Sequence, residues 1–181
     1  MSTLKKIKEK LNDFEKRKQE LLNEIQKDFP SIFAPLFEKS SRINEVSWTQ
    51  YTDYFNDGDE CRFHVHIDSA ECNGYNPDND SDNEEGNFIS SEIYAKITSE
   101  NLESHKAYCS RNSWSTERSV DEFGYMNNPN FDEKESKIFE EFKEALSELD
   151  QSFFKDLFGD HKDVTIYRDG TIYVSDYTDH E

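Results

Sequence analysis

Two histidines separated by a single residue are the first side chains in this sequence that can do chemistry. In His64-Val65-His66, the alternation of side chains along a β-strand puts both imidazoles on one face. Two such imidazoles can bind one metal ion when a carboxylate supplies a third ligand. His64 and His66 are therefore candidate metal ligands, and a metal-dependent hydrolase using them with nearby carboxylates is one alternative function. Because the sequence identifies no third ligand, we expect neither a metal nor another cofactor.

Alternating acids at Asp78, Asp80 and Asp82 resemble the beginning of an EF-hand calcium loop. The match fails at the twelfth position, where Ile89 replaces the glutamate that binds calcium with both oxygens. The surrounding residues 71–87 contain almost nothing to bury, which predicts a mobile acidic loop. We therefore expect the three aspartates to contact a partner rather than to hold calcium.

The segment from Trp48 to Phe63 is the most distinctive in the chain. Aromatic and β-branched residues lead into an Asp-Gly turn signal, so the segment predicts a β-hairpin. Aromatic pairs across the two strands already explain these residue types, because such pairs fix strand register. The functional alternative is a polar recognition site at one end of the sheet. Its residues are Gln50, Tyr54, Asn56, Asp57 and Asp59.

The same segment resembles a motif of uncharacterised small proteins from tailed bacteriophages. In this chain it reads Trp48-Thr-Gln-Tyr-Thr-Asp-Tyr-Phe-Asn-Asp-Gly-Asp-Glu-Cys-Arg-Phe63. The family pattern is approximately W-T-Q-Y-T-P-Y-F-N-D-G-D-x-C-x-F, and this chain has Asp53 where the pattern has proline. The resemblance covers about 16 of the 181 residues. It implies a phage or prophage origin and no particular activity.

Motifs that support catalysis by a nucleophile are missing from the sequence. There is no Gly-x-Ser-x-Gly and no glycine-rich phosphate loop, and the chain has only 6 glycines from which to build one. Paired acids such as Glu140 and Glu144 are typical of the solvated face of a helix. The sequence therefore favours a binding protein over an enzyme.

The formal net charge of −19 is unevenly spread along the chain. Residues 1–28 hold eight basic and six acidic side chains, so residues 29–181 hold 13 basic and 34 acidic ones, a net charge of −21. An acidic field of this size repels nucleic acids and anionic membranes and speeds encounters with basic surfaces. We therefore expect a protein partner with a basic surface, no direct binding to nucleic acid and no membrane association.

Two kinds of function follow from such an acidic surface. The first is a phage-type accessory protein that inhibits or modulates a host or defence macromolecule, including by mimicking nucleic acid with its carboxylates. The second is an immunity or antitoxin-like protein that neutralises a basic toxin. Both act by binding rather than by catalysis.

Residues 4–25 have apolar side chains at alternating steps of three and four, which predicts an amphipathic helix that ends before Pro30. Lys18 occupies the one position where an apolar residue is missing. One interpretation is a helix packed on its own domain, and the alternative is a homodimeric coiled coil through residues 4–28. We assign residues 1–29 to this helix and residues 30–181 to a single acidic α+β domain.

The remaining pattern predicts an α+β fold, in which an antiparallel sheet of two or more hairpins packs against the N-terminal helix and a second long helix. Apolar residues from Ile138 to Leu157 recur at helical spacing, and Gly159 stands where a C-terminal cap belongs. The segment from Val164 to Val174 predicts a hairpin with a two-residue turn at Asp169-Gly170.

The stretch between the acidic loop and the second long helix has a weaker pattern. Residues 88–97 predict a strand or a short helix. We interpret residues 102–126 as irregular structure with a helix from Leu102 to Cys109.

The sequence also indicates where the protein acts. No apolar stretch approaches the roughly 20 residues that a membrane span needs. The N-terminus opens an amphipathic pattern rather than the continuous apolar segment of a secretion signal. Cys61, Cys72 and Cys109 are an odd number without close pairing, which is typical of reduced thiols. We therefore expect a cytoplasmic protein, in a bacterial host cytoplasm if it is phage-encoded.

Overall fold

A computed structural model describes residues 2–54, 58, 60–73, 88–117 and 119–177. The fold is α+β, as the sequence predicts: helices cover one face of an antiparallel sheet, and a smaller two-stranded sheet lies against a helix of its own. Among the described residues, no helix combines the length and the apolar character needed to cross a bilayer.

Helices and strands alternate irregularly along the described chain. The helices are α1 (Ser2–Asp28), α2 (Ala34–Lys39), α3 (Leu102–Arg111), α4 (Glu133–Ser147) and α5 (Gln151–Phe158), with a 3₁₀ helix at Phe29–Phe33. The strands are β1 (Glu45–Thr52), β2 (Phe63–Val65), β3 (Glu71–Cys72), β4 (Glu92–Lys96), β5 (Phe123–Asn127), β6 (Lys162–Tyr167) and β7 (Ile172–Asp176).

The main sheet is antiparallel, and β1 is its central strand. Strands β2 and β3 pair with one edge of β1, β6 pairs with the other edge, and β7 pairs with β6. In this register Trp48 lies opposite Val164, and Gln50 lies opposite Val65. The two predicted hairpins therefore belong to one sheet, in which β1 and β6 join them.

Aromatic rings fill the core between this sheet and the helices. The Trp48 indole stacks on Phe33 with ring centroids 6.1 Å apart, and its edge meets Phe158 at 5.9 Å. Phe29, the first residue of the 3₁₀ helix, contacts Phe158 at 5.2 Å. Each such pair contributes about 0.5–1.5 kcal/mol beyond the area that it buries. A chain with few aliphatic residues thus obtains its core from large rings.

Helix α1 leaves most of its apolar face uncovered. Its last turns do meet the domain, because Leu22 and Ile25 pack against the core and Lys18 Nζ lies 2.9 Å from Asp156 Oδ1 on α5. The rest of the apolar face consists of five residues that are each 51% to 65% exposed. They are Leu4, Ile7, Leu11, Phe14 and Leu21. Packing on its own domain therefore describes only the last turns of the helix.

The second long helix is divided into α4 and α5, which corrects the prediction of one continuous helix. Asp150 begins α5 as an N-cap, and its Oδ1 accepts a hydrogen bond from Ser152 N at 2.7 Å. The apolar spacing continues across the break because both helices face one core, with Leu146 and Phe154 buried on either side. Gly159 ends α5 with a φ of +95°, as predicted for a C-terminal cap.

The hairpin of β6 and β7 confirms the prediction for residues 164–174, but its turn is longer than predicted. Tyr167 N donates a hydrogen bond to Thr171 O at 2.9 Å, so the loop has three residues, from Arg168 to Gly170. Only Gly170 has positive φ, at +86°, whereas a two-residue turn of the predicted type requires it at both positions. The longer loop brings the Arg168 guanidinium to three carbonyl oxygens, one in α2 and two in the connection between α2 and β1.

A second, smaller sheet corrects the prediction of irregular structure for residues 102–126. Strands β4 and β5 pair with Tyr94 opposite Tyr125, and α3 packs on β5. The predicted helix beginning at Leu102 is confirmed and extends to Arg111. Gly124 in the middle of β5 weakens its strand signal, because glycine brings no side chain to pack.

Candidate functional site

Tyrosines and histidines gather on the face of the main sheet that points away from the core. Side chains alternate along β1, so the burial of Trp48 and Gln50 on one side puts Tyr51 on the other. Strand β2 with the residue that follows it, and the turn that precedes β6, bring histidines to the same face. We call this group the histidine–tyrosine face. Its residues are Tyr51, Tyr54, His64, His66 and His161.

The rings of this face stack on one another. The His161 centroid lies 4.4 Å from that of Tyr54 and 6.5 Å from that of Tyr51. His66 stacks on Tyr51 at 4.6 Å, and Tyr177 stacks on Tyr51 at 5.0 Å. The Tyr54 side chain is held by this stacking although it is 68% exposed. The result is a layered aromatic surface whose imidazoles become positive when they are protonated.

Two imidazole nitrogens in this face form no hydrogen bond with any of the described residues. His66 Nε2 and His161 Nδ1 are buried, and neither has a hydrogen-bond partner within the described part of the chain. A buried polar atom without a partner costs about 1–3 kcal/mol. A ligand group or an ordered water at either nitrogen therefore stabilises the face. His64 differs, since its Nε2 lies 3.7 Å from Asp53 Oδ2.

His64 and His66 do not converge on a metal position with the residues described. Their ring centroids are 6.3 Å apart and the rings are inclined by 46°. In the described ranges, no three His, Cys, Asp or Glu side chains are arranged to hold an ion. Because zinc sites use three or four protein ligands, we derive no reaction through a metal from these histidines.

Asp160 fastens the end of β1 to α5 beside this face. Its carboxylate accepts hydrogen bonds from Thr52 N at 2.9 Å, from Thr52 Oγ1 at 2.7 Å and from Lys155 Nζ at 2.7 Å. Burial alone raises the pKa of the Asp160 carboxyl, but the hydrogen bonds from Lys155 and Thr52 outweigh burial and lower the pKa to about 2. Asp160 is therefore ionised at neutral pH and holds its neighbour His161 in place.

The burial of Gln50 corrects the prediction that this residue contacts a partner. Its side chain is completely buried on the core face of β1. Its Oε1 accepts a hydrogen bond from Trp48 Nε1 at 3.3 Å, and its Nε2 donates to the carbonyl oxygens of Phe154 and Gly159 at 3.2 and 2.5 Å. Gln50 therefore joins β1 to the end of α5 and has a structural role.

The other predicted contact residues divide into one that lies on the histidine–tyrosine face and six outside the described residues. The first is Tyr54. The predicted mobile loop is corrected at its start, because Glu71 and Cys72 form β3 and pair with β1. Residues 74–87 lie outside the described residues. The six predicted contact residues that also lie outside the described residues are Asn56, Asp57, Asp59, Asp78, Asp80 and Asp82.

A polar cavity of about 860 Å³ opens beside β1, and Tyr177 connects it with the histidine–tyrosine face. Glu71 and Asp163 line this cavity from opposite sides of β1. Burial, followed by the negative charges of Asp163 and Glu45, raises the pKa of the Glu71 carboxyl, and burial raises the pKa of Asp163. The cavity thus contains two acids that are costly to ionise, and the one lysine among its described lining residues, Lys143, is paired with Glu140 at 2.8 Å.

His161 is the residue of this face that sequence reasoning misses. Its φ of +52° lies in the left-handed region, which is uncommon for a residue other than glycine. This backbone conformation accompanies the placement of its ring over Tyr54. The turn after Gly159 is visible in the sequence. The contact itself is not, because it joins two loops that are far apart along the chain.

Comparison of the chain with protein-family models, with curated protein sequences and with solved structures finds no match. The fold and the geometry define an acidic α+β domain with a stacked histidine–tyrosine face, an acid-lined cavity and a long helix whose apolar face is uncovered.

Proposed function

We propose that this protein acts by binding another macromolecule and that two copies join through α1 to do so. The observation that carries the proposal is the uncovered apolar face of α1, on which five large residues are each more than half exposed. A contiguous exposed apolar face rimmed by polar residues is typical of a protein–protein contact site. A helix with this face is most stable when a partner covers it.

The occupant that fits this face best is a second copy of α1. Apolar residues occupy the two inward positions of each heptad except at Lys18, which is the pattern of a coiled coil. We call the line of contact between the two apolar faces the seam. In a parallel pair, Lys10 of one copy lies opposite Glu15 of the other copy on both sides of this seam. In an antiparallel pair that layers Leu11 on Phe14, the attraction between Lys8 and Glu15 is offset by the repulsion between Lys10 and Arg17. We therefore expect the two helices to run parallel.

From Lys18 onward α1 also contacts its own domain, although Leu21 still belongs to the uncovered apolar face. The ion pair of Lys18 with Asp156 balances the charge that would otherwise interrupt the apolar face. Beyond Lys18, Leu22 and Ile25 pack against the core of the same chain. The paired segment is therefore short, and mass action makes such a dimer dissociate on dilution.

The acidic domain supplies the surface for a second, basic partner. Residues 29–181 carry a net charge of −21, which steers positively charged surfaces toward the domain. Tyr54 offers a ring for an Arg or Lys side chain, and the acids of the cavity offer ion pairs. On this basis the protein is an accessory protein that inhibits or modulates a basic, nucleic-acid-binding protein.

The setting of this function is the bacterial cytoplasm. The resemblance of residues 48–63 to small phage proteins supports a phage origin. Within the described chain, Cys61, Cys72 and Cys109 form no disulfide, in keeping with a reducing compartment. A host or defence protein that binds nucleic acid is a suitable target, because its groove already accepts a polyanion.

Substitution of the apolar face tests the proposal. In Leu11→Glu/Phe14→Glu, carboxylates replace two central residues of the apolar face, and we expect sedimentation velocity to show a monomer whose acidic domain is still folded by circular dichroism. The matched control Asn12→Glu/Gln19→Glu adds the same charge to the polar face of α1 and keeps the dimer. A dimer that survives in the first variant, or dissociates equally in both, contradicts pairing through this face.

A further inference from the structure

A cysteine and a histidine meet between α3 and β5, apart from the histidine–tyrosine face. Cys109 Sγ lies 3.2 Å from His105 Nε2, and the two residues are one turn apart on α3. The other ring nitrogen, His105 Nδ1, lies 3.1 Å from the carbonyl oxygen of Tyr125. Cys109 is thus placed as a nucleophile, His105 as its base, and the Tyr125 carbonyl as the group that orients the base.

The carbonyl oxygen determines how protons are arranged in this line. An oxygen of the main chain only accepts hydrogen bonds, so His105 Nδ1 carries the proton that is donated to Tyr125. In the neutral ring, Nε2 is then the acceptor, and the Cys109 thiol donates to it. Transfer of the thiol proton to Nε2 leaves the contact intact, with the direction of donation reversed. The same geometry therefore allows a hydrogen bond between Cys109 and His105 whether the proton is on sulfur or on nitrogen.

The fold holds the imidazole tightly. His105 and Cys109 are only 1% and 2% exposed. A Cβ atom on Gly124 would lie 2.5 Å from His105 Cε1, so the strand comes this close only because residue 124 is glycine. The glycine that weakens β5 as a strand thus makes room for the histidine.

A cavity of about 170 Å³ gives access to the pair. Its walls include Cys109 and His105 together with Ser115 and three aromatic residues. Those aromatic residues, Tyr94, Trp114 and Tyr125, are between 37% and 46% exposed, so the cavity reaches the surface. Its volume and aromatic walls suit a small acyl group and not a folded macromolecule.

We propose that Cys109 and His105 form a nucleophile–base pair that accepts a small acyl group from an activated ester or a thioester. Cys109 Sγ attacks the acyl carbon as its proton passes to His105 Nε2. The bond from the acyl carbon to the leaving oxygen or sulfur breaks, and the leaving group takes the proton from His105. The products are an acylated Cys109 and the free alcohol or thiol, with no change in oxidation state.

The other two cysteines of the chain provide internal comparisons. Cys72 is completely buried in the main core, and burial, followed by the charge of Glu135, raises the pKa of its thiol to about 12. Cys61 is exposed to solvent. Faster reaction at Cys109 than at Cys61 therefore reports the effect of His105 and not of exposure.

The test uses the full chain with p-nitrophenyl acetate near pH 7. Peptide mapping of the unmodified protein is expected to show one acetyl group on Cys109 before any on Cys61, with release of one equivalent of p-nitrophenolate. Cys109→Ser is expected to lose this rapid phase. His105→Gln is expected to slow acetylation of Cys109 at least tenfold, as for loss of a general base. The melting temperature of the His105→Gln variant shows whether this variant remains folded.

Two results overturn the proposal. One is acetylation of Cys61 in the unmodified protein while Cys109 remains unreacted, which assigns the pair a purely structural hydrogen bond. The other is a folded His105→Gln variant in which Cys109 reacts at the original rate. The mapping of the unmodified protein decides the question even if the His105 variant fails to fold. Neither result affects dimerisation through α1, which the seam variants measure separately.

Discussion

The charged side chain of Asp160 holds the end of β1 against α5. Three hydrogen bonds from Thr52 and Lys155 converge on its carboxylate at 2.7–2.9 Å. They compensate the burial of the charge and join β1, α5 and the start of β6. The neighbouring His161 donates from its main-chain N to Asp160 Oδ1 at 3.0 Å, and its ring lies over Tyr54.

We predict that Asp160→Asn lowers the free energy of unfolding at pH 7 by about 1–2 kcal/mol. The pKa of Asp160 is lowered in the folded state, so its contribution is present above the usual value of 3.8 and is lost as the pH falls toward 2. Urea unfolding of both proteins should therefore differ at neutral pH and converge in acid. Asp68→Asn, at an exposed aspartate, serves as the control, and an equal loss there contradicts the account.

Glu71 has the opposite effect on stability. Its pKa is raised by burial and by the charges of Asp163 and Glu45, so its ionised form is unfavourable in the folded protein. We predict that Glu71→Gln raises the melting temperature at pH 7. The gain should vanish below the usual pKa of 4.5, where the carboxyl is protonated in both states. A lower melting temperature at pH 7 than that of the unmodified protein would show that Glu71 has a stabilising partner instead.

At the scale of elements, Arg168 ties the β6–β7 loop to the connection between α2 and β1. Its guanidinium donates to the carbonyl oxygens of Phe37, Ser40 and Ile43. We predict that Arg168→Ala lowers the free energy of unfolding by about 2–3 kcal/mol, because buried carbonyls lose a charged donor. Denaturant unfolding checks this against Arg111→Ala at the exposed end of α3. Equal stability of the two variants would mean that water replaces the guanidinium without cost.

The elements that the sequence predicts well are those with local signals. The heptad spacing of α1, the cap at Gly159 and the alternation of β6 each depend on residues within a few positions of one another. The break between α4 and α5 escapes prediction because both helices turn their apolar residues to one core. Strand β5 escapes it because Gly124 is required by His105, a contact outside the strand itself.

The candidate site is less predictable than the elements, because its contacts join distant segments. Alternation along β2 and the extended residue after it is sufficient to place His64 and His66 near each other. The same alternation along β1 shows that Gln50 shares the core side with Trp48, a consequence that the polar character of glutamine obscures. Nothing local indicates that His161 stacks on Tyr54, since the fold alone brings these loops together.

At the scale of the whole molecule, the charge of the acidic domain governs how fast a basic partner arrives. We predict that the association rate with a basic partner protein falls steeply with rising salt, because screening shortens the field to about 8 Å at physiological ionic strength. Tyr54→Ala should instead speed dissociation, since it removes a contact and no charge. Stopped-flow or surface-based kinetics separates the two effects. An association rate that is flat between low and high salt would remove the steering argument.

The uncovered face of α1 sets the state in which the whole molecule works. A monomer would leave five large apolar side chains in water along one helix. Pairing buries them at a contribution of about 25 cal/mol for each Å² of apolar surface. The cost of ordering is small because the helix is already formed.

The mass of the unmodified chain in solution is the most direct test of this account. Sedimentation equilibrium over a wide range of concentrations should give twice the chain mass of 21.4 kDa at high concentration, with a reversible fall toward 21.4 kDa on dilution. A mass of 21.4 kDa at every concentration would contradict the account, because α1 would then remain uncovered without a second copy.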